Sequence, residues 1–297
     1  MIELVVNTAL PFAISSHTQT LAIIGDPIEH SLTPHIQNAA WRAIGADIVN
    51  VAFRVSPHNL AEAVHGARAL GLLGLMVTIP HKERVLELCD ELDASAQLMG
   101  AANLLHFRTD GKIVGYSSDG WAAVKSLSEE GVDVRGARIA ILGGGGAARS
   151  LALTFANEGA AGIRVLNRTR ERAQKIVDEV AVFNTQAQAA SLDKATLREV
   201  LPQTDLLVNA TSVGMHPHED ESPLPPRVLD THLAVYDIVY NPLETRLLKE
   251  ARAAGCKAVD GLGMLIYTNV FAAHICAQQE ISASIMREEA LRALAAK

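Results

Sequence analysis

Six residues in the middle of the chain have the spacing of a phosphate-binding turn. Gly143 to Ala148 fit the form G-x-G-x-x-A, between a predicted strand (Arg138 to Leu142) and a helix predicted to run to about Glu158. Glycine lets the backbone approach a pyrophosphate, and the following helix N-terminus presents free N–H groups to the anion. This context favours a dinucleotide site over a flexible loop that binds nothing. The predicted contacts are Gly143, Gly144, Gly145, Gly146 and Ala147.

The residues after the next predicted strand, Ile163 to Leu166, indicate which dinucleotide binds. Asn167, Arg168 and Thr169 follow that strand, and Arg172 comes four residues after Arg168. A carboxylate here would hold the ribose hydroxyls of NAD, whereas guanidinium groups bind a 2′-phosphate. The four-residue spacing puts the two arginines on one helical face. We therefore predict NADP as the cofactor; the alternative is an ordinary charged helix start.

Composition and charge exclude several classes of protein. The 297 residues are 49% hydrophobic, which predicts two domains with sizeable cores. A net charge of −7, no long basic run and 4% aromatic residues argue against a nucleic-acid partner. No apolar run approaches the ~18 residues of a membrane span. Three widely spaced cysteines and the lack of a basic N-terminal start favour a reduced, cytoplasmic protein.

One local cluster has residue types that bind metals. His216 to Asp220 read His-Pro-His-Glu-Asp, but the spacing does not fit a helical ligand pair and prolines surround it. We predict a solvated loop there and no metal site.

Hydrophobic periodicity predicts strands that alternate with helices, which indicates an α/β fold with parallel sheets. Thr33 and Pro34 are predicted as the N-cap and first residue of the first helix, which ends at Gly45. A domain joint is predicted near Gly120 and a return near Asp260. Residues 1–119, completed by 260–297, then form one domain, and 120–259 the other. The remaining predicted strands are Leu21 to Gly25, Ile48 to Val55, Leu72 to Ile79, Asp205 to Val208 and Ala234 to Val239; the remaining predicted helices are His35 to Ile44, Leu60 to Leu70 and two after Met264.

Ordered motifs over nearly the whole chain from about residue 21 resemble the shikimate dehydrogenase family, which includes quinate-using relatives. The motifs are Gly25-Asp26-Pro27-Ile28, His30 to Pro34, Val77 to Lys82, Gly100 to Asn103, Ser118-Asp119-Gly120, Gly143 to Ala147, Asn167-Arg168-Thr169, Asn209 to Ser212, Tyr240-Asn241-Pro242 and Asp260 to Leu265.

The resemblance implies an N-terminal α/β substrate domain, a Rossmann-like NADP-binding domain and an active site in the cleft between them. It identifies Lys82 and Asp119 as the catalytic pair. Reduction of a ketone needs a proton donor beside the carbonyl, and a carboxylate can orient that donor and bind a neighbouring hydroxyl. Without the resemblance, Lys82 is an ordinary surface lysine and Asp119 a turn or cap residue.

The resemblance also assigns residues to the two ligands. The implied reaction interconverts a ring ketone and an alcohol on a shikimate-like hydroxylated ring carboxylate, as for 3-dehydroshikimate and shikimate. The implied substrate contacts are Ser31, Thr33, Thr78, Asn103, Tyr240 and Thr268. The further implied cofactor contacts are Thr211, Ser212, Ile238 and Gly261.

Some residues depart from the family pattern. Met76 replaces an asparagine, Leu104 a threonine, Thr268 a substrate-binding glutamine and Thr33 a serine. Quinate or another cyclic hydroxy acid therefore stays open as the substrate. A non-catalytic regulator on the same fold is a further alternative, but it would lack Lys82 or Asp119 or carry a DNA-binding segment. The sequence predicts no oligomeric state.

Overall fold

The structure is a computed structural model that describes residues 14–183, 185–225 and 227–295, and two six-stranded sheets organise it. The segment before the first strand therefore lies mostly outside the described residues. The first sheet contains β1 Gln19–Gly25, β2 Ile48–Arg54, β3 Gly74–Val77, β4 Glu91–Leu92, β5 Leu104–Phe107 and β6 Ile113–Tyr116. The second sheet contains β7 Arg138–Leu142, β8 Gly162–Asn167, β9 Gln186–Ser191, β10 Leu206–Asn209, β11 Ala234–Asp237 and β12 Lys257–Val259.

Ten α-helices connect and cover these strands in the described ranges. They are α1 Thr33–Ile44, α2 Leu60–Ala69, α3 Ala94–Met99, α4 Asp119–Glu129, α5 Gly146–Asn157, α6 Arg170–Val180, α7 Lys194–Val200, α8 Arg246–Ala253, α9 Leu262–Ala277 and α10 Ala283–Ala295. No helix in these ranges is long and apolar enough to cross a membrane.

The first sheet has the order β2-β1-β3-β5-β6-β4 and is mixed. β1 is parallel to β2 and β3, as predicted, but β5 is antiparallel to both β3 and β6. The strands predicted from the sequence are thus parallel, and two strands that were not predicted, β5 and β6, form an antiparallel hairpin. The physical reason is the short link between β5 and β6, in which Arg108 N donates to Lys112 O at 2.9 Å. So short a link allows a hairpin, whereas a parallel crossover needs about a dozen residues or more.

The second sheet is parallel throughout, with the order β12-β11-β10-β7-β8-β9. Both of its faces are buried, because Ile139 and Ile141 of β7 pack into one apolar cluster while Ala140 and Leu142 pack into another. A parallel strand covered on both faces reads as a continuous apolar run, which is why the sequence predicted β7, β8, β10 and β11. The edge strands β9 and β12 are less buried and were not predicted.

The start of α1 differs by one residue from the prediction. Thr33 is already helical, Leu32 takes the N-cap position, and no side chain caps the helix there. The hydroxyl of Ser31 instead accepts the N–H of Thr33 at 3.3 Å. The helix ends at Gly45 with a φ of +69°, as predicted for a glycine stop.

Helix α4 joins the two halves and carries Asp119 in its first turn. A Cβ on Gly120 would collide with Thr154 of α5, and one on Gly263 of α9 would collide with Ser126 of α4. The C-terminal helices α9 and α10 pack onto the core of the first sheet through apolar side chains that include Leu262, Ile266, Met286 and Ala290. Asp119 therefore lies between the helices of both sheets.

Candidate active site

A lysine, an aspartate and an asparagine meet in one hydrogen-bonded group. Lys82 Nζ lies 2.6 Å from Asp119 Oδ2, and Asn103 Nδ2 donates to Asp119 Oδ1 at 2.8 Å. The side chains of Lys82 and Asp119 are 31% and 18% exposed, so the pair is accessible while largely held by the protein. The structure thus brings together three residues that lie far apart in the sequence.

Short elements of the first sheet fix these three side chains. Asn103 precedes β5, and its backbone bonds to Val77 of β3 and Tyr116 of β6 at 2.8 and 2.9 Å. Its Oδ1 accepts the backbone N–H of Ser118, also at 2.8 Å. Ala102 N in turn donates to the carbonyl of Lys82 at 2.8 Å. Ser118 is a supporting residue to which sequence reasoning assigned no role, although it lies in a recognised motif.

The electrostatic setting keeps a charged pair in place. Asp119 lies at the start of α4, where the positive end of the helix dipole favours a carboxylate. The ammonium of Lys82 keeps part of its surface open, so a substrate oxygen can approach it. The pair can therefore bind a polar oxygen and transfer a proton to or from it.

His81, next to Lys82, is fully buried, and its Nε2 lies 2.7 Å from the carbonyl oxygen of Val55. Since a carbonyl only accepts, Nε2 carries the proton of this bond. The ring thus ties the lysine loop to Val55, the residue after β2.

Hydroxyl groups gather at the carboxyl ends of β1 and β3, which are neighbours. Thr78 follows β3, and its N–H bonds to the carbonyl of Ile24 in β1 at 3.0 Å. Thr33 begins α1, which follows β1, and its Oγ1 is buried without a hydrogen-bond partner among the described residues. A buried hydroxyl without a protein partner is costly and indicates a position suited to a ligand or water.

Two further expected substrate contacts have distinct surroundings. Tyr240 follows β11 of the second sheet but packs against the core of the first; burial raises the pKa of its phenol. Thr268 lies in α9, is 8% exposed, and its hydroxyl donates to the carbonyl of Leu265 in the same helix at 2.8 Å. The Thr268 hydroxyl therefore already donates its proton within the helix.

The glycine turn between β7 and α5 leaves room that no larger residue would leave. Gly143 has a φ of +125°, and a Cβ there would lie 2.9 Å from the carbonyl oxygen of Ala210. A Cβ on Gly144 would lie 2.8 Å from Asn167 Nδ2. A Cβ on Gly145 or Gly146 would meet open space, so the protein leaves this part of the turn uncovered. No acidic residue lies in the first turn of α5 to repel an anion.

The predicted 2′-phosphate site lies at the end of β8. Arg168, Thr169 and Arg172 are exposed there, and Asn167 Nδ2 donates to the carbonyl of Thr169 at 2.9 Å. Within the described ranges, no carboxylate forms an ion pair with Arg168 or Arg172, so both guanidinium groups are available to an anion. The residues present therefore fit the adenosine end of NADP.

Two loops lie at the carboxyl ends of β10 and β11, beside the glycine turn. Thr211 and Ser212 follow β10, and the Thr211 methyl would lie 3.4 Å from a Cβ on Gly143. Ile238 follows β11, and its carbonyl lies so close to Gly261 that a Cβ there would collide with it. The loop after β11 bonds directly to the buried carboxylate of Asp237 through Val239, and the loop after β10 is connected to it through Asn209. Sequence reasoning missed Asp237; the available signal was a lone acid in an apolar strand.

The histidine-rich loop carries local contacts between histidine and glutamate side chains. His216 Nδ1 lies 2.5 Å from Glu219, and His218 lies 3.8 Å from Glu221. Among the described residues, no three His, Cys, Asp or Glu side chains are grouped so that they could hold a metal ion.

Comparisons with known proteins identify the family. Residues 23–105 match the shikimate dehydrogenase substrate binding domain, and residues 125–220 match the shikimate / quinate 5-dehydrogenase family. The shikimate dehydrogenase (NADP(+)) of Methanopyrus kandleri is 45% identical over 285 residues, 95% of this chain and 98% of that protein. The enzyme of the same name from Methanosarcina acetivorans is 42% identical over 280 residues, 94% of this chain and 99% of that protein.

Solved structures agree. A Listeria monocytogenes shikimate 5-dehydrogenase in complex with shikimate and NAD is 34% identical with a TM-score of 0.89, covering 94% of this chain and 98% of that one. A shikimate dehydrogenase in complex with NADP+ is 38% identical with a TM-score of 0.88, covering 95% and 98%. A quinate dehydrogenase from Corynebacterium glutamicum in complex with NAD is 28% identical with a TM-score of 0.85, covering 93% and 99%. The resemblance and the two-part α/β fold predicted from the sequence are thus confirmed, and this chain belongs to the shikimate dehydrogenase family.

Proposed function

We propose that the protein is an NADP-dependent dehydrogenase that interconverts 3-dehydroshikimate and shikimate. The observation that carries this proposal is the Lys82–Asp119 pair, held at 2.6 Å with Asn103 beside it in a family of oxidoreductases. The relatives at 40–45% identity carry the name shikimate dehydrogenase (NADP(+)), which supports both the reaction and the cofactor. With both residues of the pair present, an enzyme is favoured over a ligand-binding regulator.

The pair divides the work of the reaction. When bound, the reduced cofactor supplies a hydride to the ring carbonyl carbon. The ammonium of Lys82 donates a proton to the carbonyl oxygen, which becomes the alcohol, and a proton from solvent restores the ammonium. Asp119 holds that ammonium and accepts a hydrogen bond from a neighbouring ring hydroxyl, while Asn103 fixes the carboxylate. In the oxidation direction, Lys82 takes the proton back.

The substrate carboxylate has its own set of donors. Ser31 lies between β1 and α1, Thr33 is the first residue of α1, Thr78 directly follows β3, and the buried Thr33 hydroxyl lacks a partner among the described residues. Hydroxyl donors of this kind hold a carboxylate in one orientation without burying an extra charge. The ring then extends toward Lys82, with Tyr240 and Thr268 as further walls of the site.

The cofactor is held by the second sheet. The backbone of Gly143 to Ala147 with the N-terminus of α5 receives the pyrophosphate, and Arg168 with Arg172 receives the 2′-phosphate. Asn167 and Thr169 shape the adenosine end, while Thr211, Ser212, Ile238 and Gly261 lie on the nicotinamide side. The open space at the glycines and the guanidinium groups, which form no ion pair among the described residues, support the phosphate-binding roles. The family resemblance supports the nicotinamide-side contacts.

The domain division forms part of the same proposal. Residues 1–119 with 260–297 act as the substrate domain and residues 120–259 as the cofactor domain, with the site in the cleft between them. Closure of that cleft aligns hydride donor and acceptor and excludes water. A cytoplasmic location also belongs to the proposal, and it is supported by three cysteines that are all free.

A four-way assay tests the proposal. Shikimate and quinate are each supplied with NADP and with NAD, and formation of the reduced cofactor is followed by absorbance. We expect shikimate with NADP to give the highest kcat/KM. Highest efficiency with quinate would assign the enzyme to the second substrate, whereas no turnover of either acid would refute the dehydrogenase proposal.

A further inference from the structure

A buried carboxylate beside the site has no part in the proposed reaction. Asp237 is the last residue of β11, has no solvent exposure, and lies in register with Asn209, the last residue of β10. Removing a carboxylate from water costs free energy unless its oxygens accept hydrogen bonds. The bonds that Asp237 accepts therefore indicate what it contributes.

Three neutral donors from three segments converge on Asp237. Its Oδ1 accepts Asn209 Nδ2 at 2.9 Å and the backbone N–H of Val239 at 3.1 Å. Its Oδ2 accepts the hydroxyl of Thr245, the N-cap of α8, at 2.7 Å. The carboxylate thus ties the end of β10, the loop after β11 and the start of α8 to one point.

Asn209 transmits this constraint to the neighbouring loop. Its Oδ1 accepts both the backbone N–H of Thr211 at 3.1 Å and the Thr211 hydroxyl at 2.7 Å. The Thr211 Oγ1 in turn accepts the N–H of Val213 at 3.1 Å. An amide has one donor end and one acceptor end, whereas an ionised carboxylate only accepts. Asn209 Nδ2 also donates to the carbonyl of Val213, at the longer distance of 3.4 Å. Asp237, which accepts the shorter bond, therefore holds Asn209 with its NH₂ toward the carboxylate and its oxygen toward Thr211.

We propose that Asp237 is a positioning residue that sets, through Asn209 and Val239, the two loops on the nicotinamide side of the cofactor. One loop, at Thr211, packs against Gly143 of the glycine turn, and the other carries Ile238 against Gly261. This inference rests on the proposed function, because that proposal places the nicotinamide between these loops. It predicts that Asp237 affects binding of the nicotinamide half of the cofactor and does not affect binding of the adenosine half.

The variant Asp237→Asn keeps the shape of the side chain but can present either a donor or an acceptor to Asn209. The amide of Asn209 is then free to flip, which breaks both bonds to Thr211. We expect the Kd for NADPH, measured by fluorescence titration, to rise about tenfold, in line with the loss of one or two hydrogen bonds. The Kd for 2′,5′-ADP, which carries the 2′-phosphate and lacks the nicotinamide, should change less than about twofold.

Asp205→Asn is the matched control. Asp205 precedes β10 at the opposite end of the sheet and pairs with Arg138 at 2.6 Å. This variant should leave the Kd values of both ligands unchanged. The NADPH titration reports on the inference even if the unmodified protein turns over no substrate, so failure of the proposed reaction and failure of this inference are separable.

Two results would overturn the inference. An equal rise in the Kd values for NADPH and 2′,5′-ADP in Asp237→Asn would indicate a general structural role. An unchanged Kd for NADPH would indicate that Asp237 has no positioning role. If that variant does not fold, Thr245→Val removes a donor on the side of the carboxylate away from the Thr211 loop. It should raise the NADPH Kd by about two- to fivefold with 2′,5′-ADP unchanged, and the same two results would contradict the proposal.

Discussion

Replacement of Lys82 by methionine should cut kcat by about a hundredfold or more. A positioned general acid contributes about 10² to 10⁴ in rate, and a hundredfold corresponds to about 2.7 kcal/mol of activation free energy. Methionine keeps an unbranched stem but has no proton to give. Asp119 keeps its 2.8 Å bond from Asn103, so the rest of the group stays in place.

The structure separates this effect from a loss of stability. Both partners of the Lys82–Asp119 pair are partly exposed, so breaking it should lower the free energy of unfolding by at most about 1 kcal/mol. The Kd for NADPH should barely change, because the glycine turn and the arginines lie on the other sheet. Steady-state kinetics in both directions, thermal unfolding and NADPH titration together measure the three quantities.

A matched variant completes the experiment. Lys125→Met removes an exposed lysine of α4 that pairs with Glu129 at 3.6 Å and lies away from the Lys82 group. It should keep normal turnover. If Lys82→Met also kept near-normal kcat on the best substrate, the assignment of proton transfer to Lys82 would be wrong.

Three further outcomes follow from the same account. The unmodified protein should use NADP at least about tenfold better than NAD, or ~1.4 kcal/mol, and Arg168→Ala should lower that ratio by weakening NADP; a preference for NAD would contradict this. Burial raises the pKa of Asp237 to about 6 from 3.8, so its contribution to stability is present below about pH 4 and lost as the pH rises through about 6. In urea unfolding, the free energy of unfolding of Asp237→Asn should rise by up to about 3 kcal/mol relative to that of the unmodified protein as the pH goes from about 4 to 7. A difference in unfolding free energy that does not change with pH would count against the raised pKa. The double change Met76→Asn with Thr268→Gln should raise shikimate turnover, because it restores the two amides that the family usually has and because the Thr268 hydroxyl is already bonded within its helix. Efficient shikimate oxidation by the unmodified protein that the double change does not improve would refute that reasoning.

Much of the second sheet could be predicted from the sequence, because local patterns determine it. The apolar run Arg138 to Leu142, the glycines and the arginines after β8 lie close together along the chain and carry their chemistry in their spacing. The central strands β7 and β10 and their neighbour β11 are buried, so hydrophobicity marks them, whereas the partly exposed edge strands β9 and β12 were missed.

The first sheet was harder because its site is assembled over distance. Nothing in the sequence near Lys82 indicates that Asp119 lies 2.6 Å away, and only the family motifs paired them. The short strands β5 and β6 give little periodicity, so their antiparallel hairpin was missed. The relay from Asp237 through Asn209 to Thr211 depends on amide orientation and burial, which are properties of the folded chain alone.

The central claim is that hydride passes between the cofactor and a ring carbon while Lys82 handles the proton. Incubation of the protein with 3-dehydroshikimate and NADPH labelled with deuterium at the transferred position, followed by mass spectrometry of the product, tests it most directly. The account predicts shikimate that carries one deuterium on the ring, formed at least about a hundredfold more slowly by Lys82→Met. Shikimate without deuterium, or no consumption of 3-dehydroshikimate, would contradict it.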